Sequence, residues 1–327
     1  MHWESRHERA PAVTVLAVGA YTVDFYIFGD RLPSVGETVA ATGTASAHGG
    51  KAANVAVAAA RLGGRARFIG AVGGDQEGAE ALATLARDGV DVSACPRTDP
   101  PTARSFICLD SRGQQYIMTW AGAADGLTAD VAAAGAALLR PGAVLVLQGE
   151  IPVAVSAAAA AAAVPGVTVV LNPSPVEPFT QPRSDPDAAR LLARADLVVL
   201  NAAECRRLIG ERADSTRSGL SAEAAQLRRQ IRTATVVVTV GAQGALVIRE
   251  GSEMHVPAPE VKVVDTTGAG DGFVGALAAG IAAGMPLAEA VLLACRAAAV
   301  SVTRQFCIPS YPRASELSHA PLSPRQC

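Results

Sequence analysis

The stretch Val263-Val264-Asp265-Thr266-Thr267-Gly268-Ala269-Gly270-Asp271-Gly272-Phe273 has residue types that can do chemistry on an anion. It reads as a short strand, a glycine-rich turn and a helix starting near Gly270. Small residues at a helix N-terminus expose backbone N–H groups, and the helix dipole adds partial positive charge. Asp271 falls in the first helical turn, where a carboxylate would repel a bound phosphate. Its position makes chemical sense if it accepts a proton from an attacking hydroxyl. On the residues alone it is equally well explained as a helix-capping acid.

A second stretch is His48-Gly49-Gly50-Lys51-Ala52-Ala53-Asn54, which leads into a helical run to Leu62. Two glycines permit close backbone approach, and Lys51 and Asn54, three apart, share one helix face. Lys and Asn there suit a polyhydroxyl ligand, although the stretch alone is also a plain loop-to-helix junction. Gly270, Gly272 and Gly275 also spell G-x-G-x-x-G. A dinucleotide site needs those glycines in the turn, a following strand and a ribose-binding acid, and these are missing here. No G-x-x-x-x-G-K-[ST] occurs, so a Walker-type NTPase is excluded.

Elements must position these residues. Strand-length apolar runs at Val13–Val18, Phe68–Val72, Val144–Leu147, Val167–Leu171, Leu197–Leu200, Val236–Val240 and Ala245–Ile248 are continuous rather than alternating. That is the pattern of strands covered on both faces. Helical stretches near 51–62, 76–88, 127–139, 153–163, 187–194, 202–209, 221–232, 270–284 and 286–304 lie between and after them. The alternation predicts a parallel sheet with helices on both sides. Two segments break it. Residues 21–48 lack helical periodicity, and residues 102–120 hold the runs Ser105–Leu109 and Gln115–Trp120 around Asp110-Ser111-Arg112-Gly113, a hairpin signature. Together they predict a small β-layer beside the main sheet.

The 327 residues, of formal net charge −2, are half hydrophobic and only 18% charged, which excludes a disordered chain. With 4% aromatics and no basic stripe, a nucleic-acid binder is excluded too. Six scattered cysteines read as reduced thiols, and the histidine spacing offers no zinc site. The best membrane candidate, Val153 to Leu171, is mostly alanine and is broken by Pro165-Gly166. The first ten residues are polar and mixed in charge, unlike a signal peptide, so a cytoplasmic location is expected. Asp75 reads as a turn and helix N-cap.

The two motifs, in this order and spacing, resemble the ribokinase-like (PfkB) family of carbohydrate kinases. Other landmarks fall in order between them: Gly19-Ala20-Tyr21-Thr22-Val23-Asp24, Gln148-Gly149-Glu150, Asn201-Ala202-Ala203-Glu204 and Thr239-Val240-Gly241-Ala242-Gln243-Gly244. The resemblance spans about residues 12 to 312. It implies a single α/β domain over 1–327, a three-layer sandwich with a mostly parallel central sheet. Segments 21–48 and 102–120 would form a small β-sheet lid that makes a homodimer contact. It implies an ATP-dependent phosphotransferase acting on a sugar hydroxyl, with Mg²⁺ and a monovalent cation such as K⁺. Asp271 would be the base, and the Gly268, Ala269 and Gly270 backbone the anion hole. Thr22, Asp24, Gly50, Lys51, Asn54 and Glu150 would hold the sugar. Asn201, Thr239, Gly241, Gly244, Gly268 and Gly270 would contact the nucleotide. Glu204 would organise Mg²⁺ through water, and Asp265, Thr267 and Ser310 would hold the monovalent cation.

Three departures from the family pattern matter. Thr22 stands where ribokinases have a sugar-binding Asn, and Ala52 replaces a glycine. Phe306 takes a glycine's place in the cation loop, and Phe does not easily adopt a positive φ. The loop or its cation dependence is therefore expected to differ. A nucleoside kinase or a hexose or keto-sugar kinase is the alternative within the family. A non-catalytic sugar-binding regulator is the alternative of a different class.

Overall fold

Val15, Ala17, Val144 and Val146 pack into one buried cluster, while Leu16, Val18, Leu145 and Leu147 pack into a second. Strands covered on both faces need apolar residues at every position, hence the continuous runs. The computed structural model describes residues 12–180, 185–210 and 217–317. The chain begins with β1 (Val15–Val18), β2 (Thr22–Gly29), β3 (Gly43–Gly49) and α1 (Lys51–Arg61). Then come β4 (Ala66–Ile69), β5 (Val72–Gly73), α2 (Gln76–Arg87), β6 (Arg97–Thr98), β7 (Arg104–Asp110) and β8 (Gln115–Trp120). Strand and helix alternate through α3 (Ala129–Ala137), β9 (Val144–Gln148), α4 (Val153–Ala162), β10 (Thr168–Asn172), α5 (Pro186–Arg194) and β11 (Leu197–Asn201). They are followed by α6 (Ala202–Ile209), α7 (Arg217–Ile231), β12 (Thr235–Thr239), β13 (Ala245–Arg249) and β14 (Ser252–Val256). Last come α8 (Ala269–Ala282), α9 (Leu287–Ser301) and α10 (Ala314–Leu317).

Among the described residues the main sheet has eight strands in the order β14-β13-β12-β11-β10-β9-β1-β4. From β12 to β4 every pairing is parallel, whereas β13 and β14 are antiparallel. Helices α1, α2, α8 and α9 cover one face, and α3, α4, α5 and α7 the other. This is the three-layer arrangement expected. The second sheet, β3-β2-β7-β8, joins the two segments that broke the rhythm. Strand β2 runs antiparallel to β3 and parallel to β7, and Asp24 lies opposite Ser105.

The structure corrects four expectations. The run Phe68–Val72 is split, because β4 ends at Ile69 and β5 pairs with β6 instead. Strand β14, with an exposed N-terminal half, was not anticipated. Val263 and Val264 form no strand; both are exposed, and the Val264 and Asp265 N–H groups bond to the Val302 carbonyl. Phe306 does adopt a positive φ, of 64°.

Two glycines of the G-x-G-x-x-G match, Gly272 and Gly275, serve packing, whereas a Cβ on Gly270 would meet nothing within 4 Å. A Cβ on Gly275 would lie 2.6 Å from both the Ala58 Cβ and the Val55 carbonyl of α1. A Cβ on Gly272 would lie 2.9 Å from the Tyr311 ring. Gly275 lets α8 close on α1, which brings Asn54 to Asp271, and Gly272 makes room for Tyr311.

Candidate active site

Asp271 is the third residue of α8, 6% exposed, after the left-handed Gly268 (φ 73°). Its Oδ2 accepts from Asn54 Nδ2 at 2.8 Å. Burial pushes its carboxyl above the usual range, while the Lys51 ammonium and the Asn54 amide pull it down. Lys51 is held in its charged form first by Asp271 and, with desolvation opposing, by Glu150. Asn54 Oδ1 has no partner among the described residues.

Gly50, with φ 92°, caps the N-terminus of helix α1. A Cβ there would stand 2.6 Å from the Ala20 carbonyl and Tyr21 Cα, so only glycine fits. The Lys51 N–H then donates to Glu150 Oε2 at 2.8 Å. Desolvation pushes the Glu150 carboxyl up to about 7, against the attraction of Lys51. Asp24, 8% exposed, is also pushed up by burial and is held down by the hydroxyls of Thr22 and Ser105. Thr22 Oγ1 donates to Asp24 Oδ1 at 3.0 Å, so its proton is spent on orienting the acid.

Lys51, Asp271 and the turn residues Gly268 and Gly270 open on a cleft of about 200 Å³. Its far wall comes from the carboxyl ends of parallel strands: Asn172 of β10, Asn201 of β11 and Thr239 of β12. Open α/β sheets bind ligands there. Asn201 and Glu204 form a reciprocal capping box on α6: Glu204 N–H donates to Asn201 Oδ1 at 2.9 Å, and Asn201 N–H to Glu204 Oε2 at 2.8 Å. One Glu204 oxygen therefore has a structural partner. Gly241 (φ 58°) and Gly244 (φ 95°) shape the turn from β12 to β13 and do not line the cleft. A Cβ on Gly244 would collide with the Val256 carbonyl at 2.0 Å. Of the three expected anion-hole amides, that of Ala269 is directed at the Thr266 carbonyl, 3.2 Å away.

Beside the turn, Asp265 Oδ1 accepts from Thr267 N–H (2.9 Å) and Oγ1 (2.7 Å), and Oδ2 from Phe306 N–H (2.9 Å). The loop before Ser310 thus keeps its left-handed residue although that residue is Phe. The Phe306 ring lies edge-on to Tyr26, 5.4 Å between centroids, a contact that offsets backbone strain of about 1–3 kcal/mol. Ser310 is buried and its hydroxyl donates to the Cys307 carbonyl at 2.7 Å.

Sequence reasoning missed several residues. Tyr311 donates its hydroxyl to the Gly268 carbonyl at 3.0 Å, pinning the turn before Asp271. Arg61, at the end of α1, donates to the Ile308 and Tyr311 carbonyls (2.6 and 2.8 Å) while paired with Asp88. It ties the helix of Lys51 and Asn54 to the C-terminal loop. Asn172 lines the cleft and donates to the Val199 carbonyl at 2.9 Å. An Asn ending a buried apolar run was the available signal for it; Arg61 and Tyr311 gave none. Asp75 caps α2 as expected, accepting from Gly78 N–H at 2.8 Å, and also holds Thr102. His48 meets the Tyr21 hydroxyl.

A buried carboxylate at a helix N-terminus, beside a cleft at the carboxyl ends of a parallel sheet, suits the class of enzymes that transfer a phosphoryl group to an alcohol. The chain belongs to the pfkB family of carbohydrate kinases, whose sequence model matches residues 13–314. It is similar to the ribokinase of Haemophilus influenzae, 31% identical over 94% of this chain and 99% of that one. It is also similar to the ribokinase of Mus musculus, 32% identical over 94% of each. Among solved structures, Arabidopsis thaliana ribokinase complexed with ribose and ATP superposes with a TM-score of 0.81 at 27% identity, over 94% of this chain and 98% of that one. The enzyme is an ATP-dependent carbohydrate kinase.

Proposed function

We propose that the enzyme transfers the γ-phosphoryl group of ATP to a hydroxyl of a pentose or related sugar, with Asp271 as the base. The observation that carries this is Asp271 itself, buried at the start of α8, fixed by Asn54 and open to the cleft. A group that only capped the helix would not need a partner from another helix. The acceptor hydroxyl gives its proton to Asp271 as its oxygen attacks the γ-phosphorus, and the bond from that phosphorus to the bridging oxygen breaks, releasing ADP. The Gly268–Gly270 turn and the α8 dipole stabilise charge developing on the transferred group, and Lys51 adds positive charge beside them. Asp24, Gly50, Asn54 and Glu150 orient the sugar, with Asn54 Oδ1 free to accept from one of its hydroxyls.

The donor sets fit the ions proposed. Glu204 keeps one oxygen outside its capping box, enough to order a water on Mg²⁺, a hard cation that retains several waters. Bound with the nucleotide, Mg²⁺ would neutralise phosphate charge. Asp265, Thr267 and Ser310 supply only oxygen atoms, as a K⁺ site would, and the left-handed Phe306 keeps their loop in place.

The β3-β2-β7-β8 sheet, carrying Asp24, serves as the lid. Its edge strand β8 exposes Tyr116, Ile117, Met118 and Trp120, which supports pairing with a second copy. The described cysteines are unpaired thiols, in keeping with a cytoplasmic enzyme.

The test is ATP consumption across sugars and nucleosides, wild type against Asp271→Asn. Asp271→Asn keeps shape and loses proton acceptance, so kcat falls at least about 10²-fold with ATP binding kept. Turnover within a few-fold of wild type overturns the assignment. A wild type that binds sugar without consuming ATP is a regulator instead.

A further inference from the structure

Tyr26 is 7% exposed, yet its hydroxyl has no hydrogen-bond partner among the described residues. Buried polar groups in native structures are nearly always paired, and one left unpaired is a cost the fold must carry. Its surroundings show where that group sits. Side chains alternate along a strand, so Thr22, Asp24 and Tyr26 of β2 face the same way. Ile107 of β7 stands beside Tyr26 as Ser105 stands beside Asp24. Burial first, and then the charges of Asp24, Cys307 and Asp265, hold its phenol in the protonated form. Its ring stacks with Phe28 (6.2 Å between centroids) and meets Phe306 edge-on (5.4 Å).

We propose that Tyr26 is a specificity-determining residue, whose hydroxyl bonds a hydroxyl of the acceptor sugar bound against Asp24. This rests on the sugar-kinase reading above. The chemistry of the neighbouring position supports it. Thr22 spends its proton on Asp24 and offers the sugar less than an Asn with both donor and acceptor. A phenol, also donor and acceptor, stands two residues beyond Asp24 and four beyond Thr22 on the same face, and so offers the sugar a further bond on the other side of Asp24. Phe306 acts as its backstop, which gives that residue a use beyond the cation loop.

The test is Tyr26→Phe, which keeps the ring. A hydroxyl with a structural partner costs stability when removed, whereas one waiting for a ligand does not. The unfolding midpoint without sugar is therefore expected to stay level or rise. The increase in midpoint on adding D-ribose, or the best acceptor of the panel, shrinks. KM for that sugar rises at least about tenfold, while KM for ATP is unchanged. Among deoxy analogues of the sugar, the one lacking the bonded hydroxyl loses its disadvantage in the variant. A lower unliganded midpoint with sugar KM within twofold of wild type overturns the proposal. A wild type with neither sugar-dependent stabilisation nor phosphotransfer overturns the kinase reading itself, and this proposal with it.

Discussion

Asn54 Nδ2 donates to Asp271 Oδ2 at 2.8 Å, joining residues 217 positions apart in sequence. The bond does two things. It fixes the rotamer of the proposed base, and it favours the ionised carboxylate against burial. Asp271 must be ionised to accept a proton, so activity is lost as pH falls through its raised pKa. Removing the amide raises that pKa further. Asn54→Leu is therefore expected to move the acidic limb of kcat to higher pH and to lower the plateau about tenfold or more. A pH–rate profile superimposable on wild type would show that the bond does not act on the base.

Burial acts on Glu150 in the same direction. Its pKa in the fold is about 7, against roughly 4.3 in the unfolded chain. Above pH 7 the fold carries an ionised, desolvated carboxylate, and this penalty disappears as pH falls towards the unfolded value. Glu150→Gln retains an acceptor for Lys51 N–H. It is expected to raise the unfolding midpoint at pH 8, with the gain vanishing near pH 5, and to weaken sugar binding. Thermal unfolding at the two pH values is the measurement, and an equal effect at both contradicts the assignment.

The Asp265 loop is the proposed seat of a monovalent cation. K⁺ is expected to raise the rate over a Na⁺- or Tris-only buffer, and Asp265→Ala to abolish the response. A K⁺ titration of both proteins decides it. A wild-type rate indifferent to K⁺ means that the loop Phe306 closes is structural only.

Thr22 should restrict the choice of sugar. Thr22→Asn is expected to improve kcat/KM for D-ribose relative to the preferred acceptor, by about tenfold or more, the worth of one buried hydrogen bond. A ranking of sugars unchanged by the substitution argues that Thr22 serves only to orient Asp24.

The sequence by itself determined the layers and the chemical endpoints. Apolar runs without alternation mean strands covered on both faces, and those around Val144, Val169 and Val198 are so covered. The Gly268–Asp271 turn and the Gly50–Asn54 helix start were legible because backbone approach and helix dipoles are local properties. Only the tertiary structure decided what those endpoints do together. Whether Asp271 merely caps α8 depends on Asn54 arriving from another helix, which depends on Gly275 allowing contact with Ala58. Phe306 reads as an obstacle in sequence because backbone preference is local. The packing of its ring against Tyr26, 280 positions away, overrides that preference. Tyr26, Arg61 and Tyr311 were invisible for the same reason. Their roles come from partners, or from the want of one, and no spacing along the chain encodes a partner that folding alone supplies.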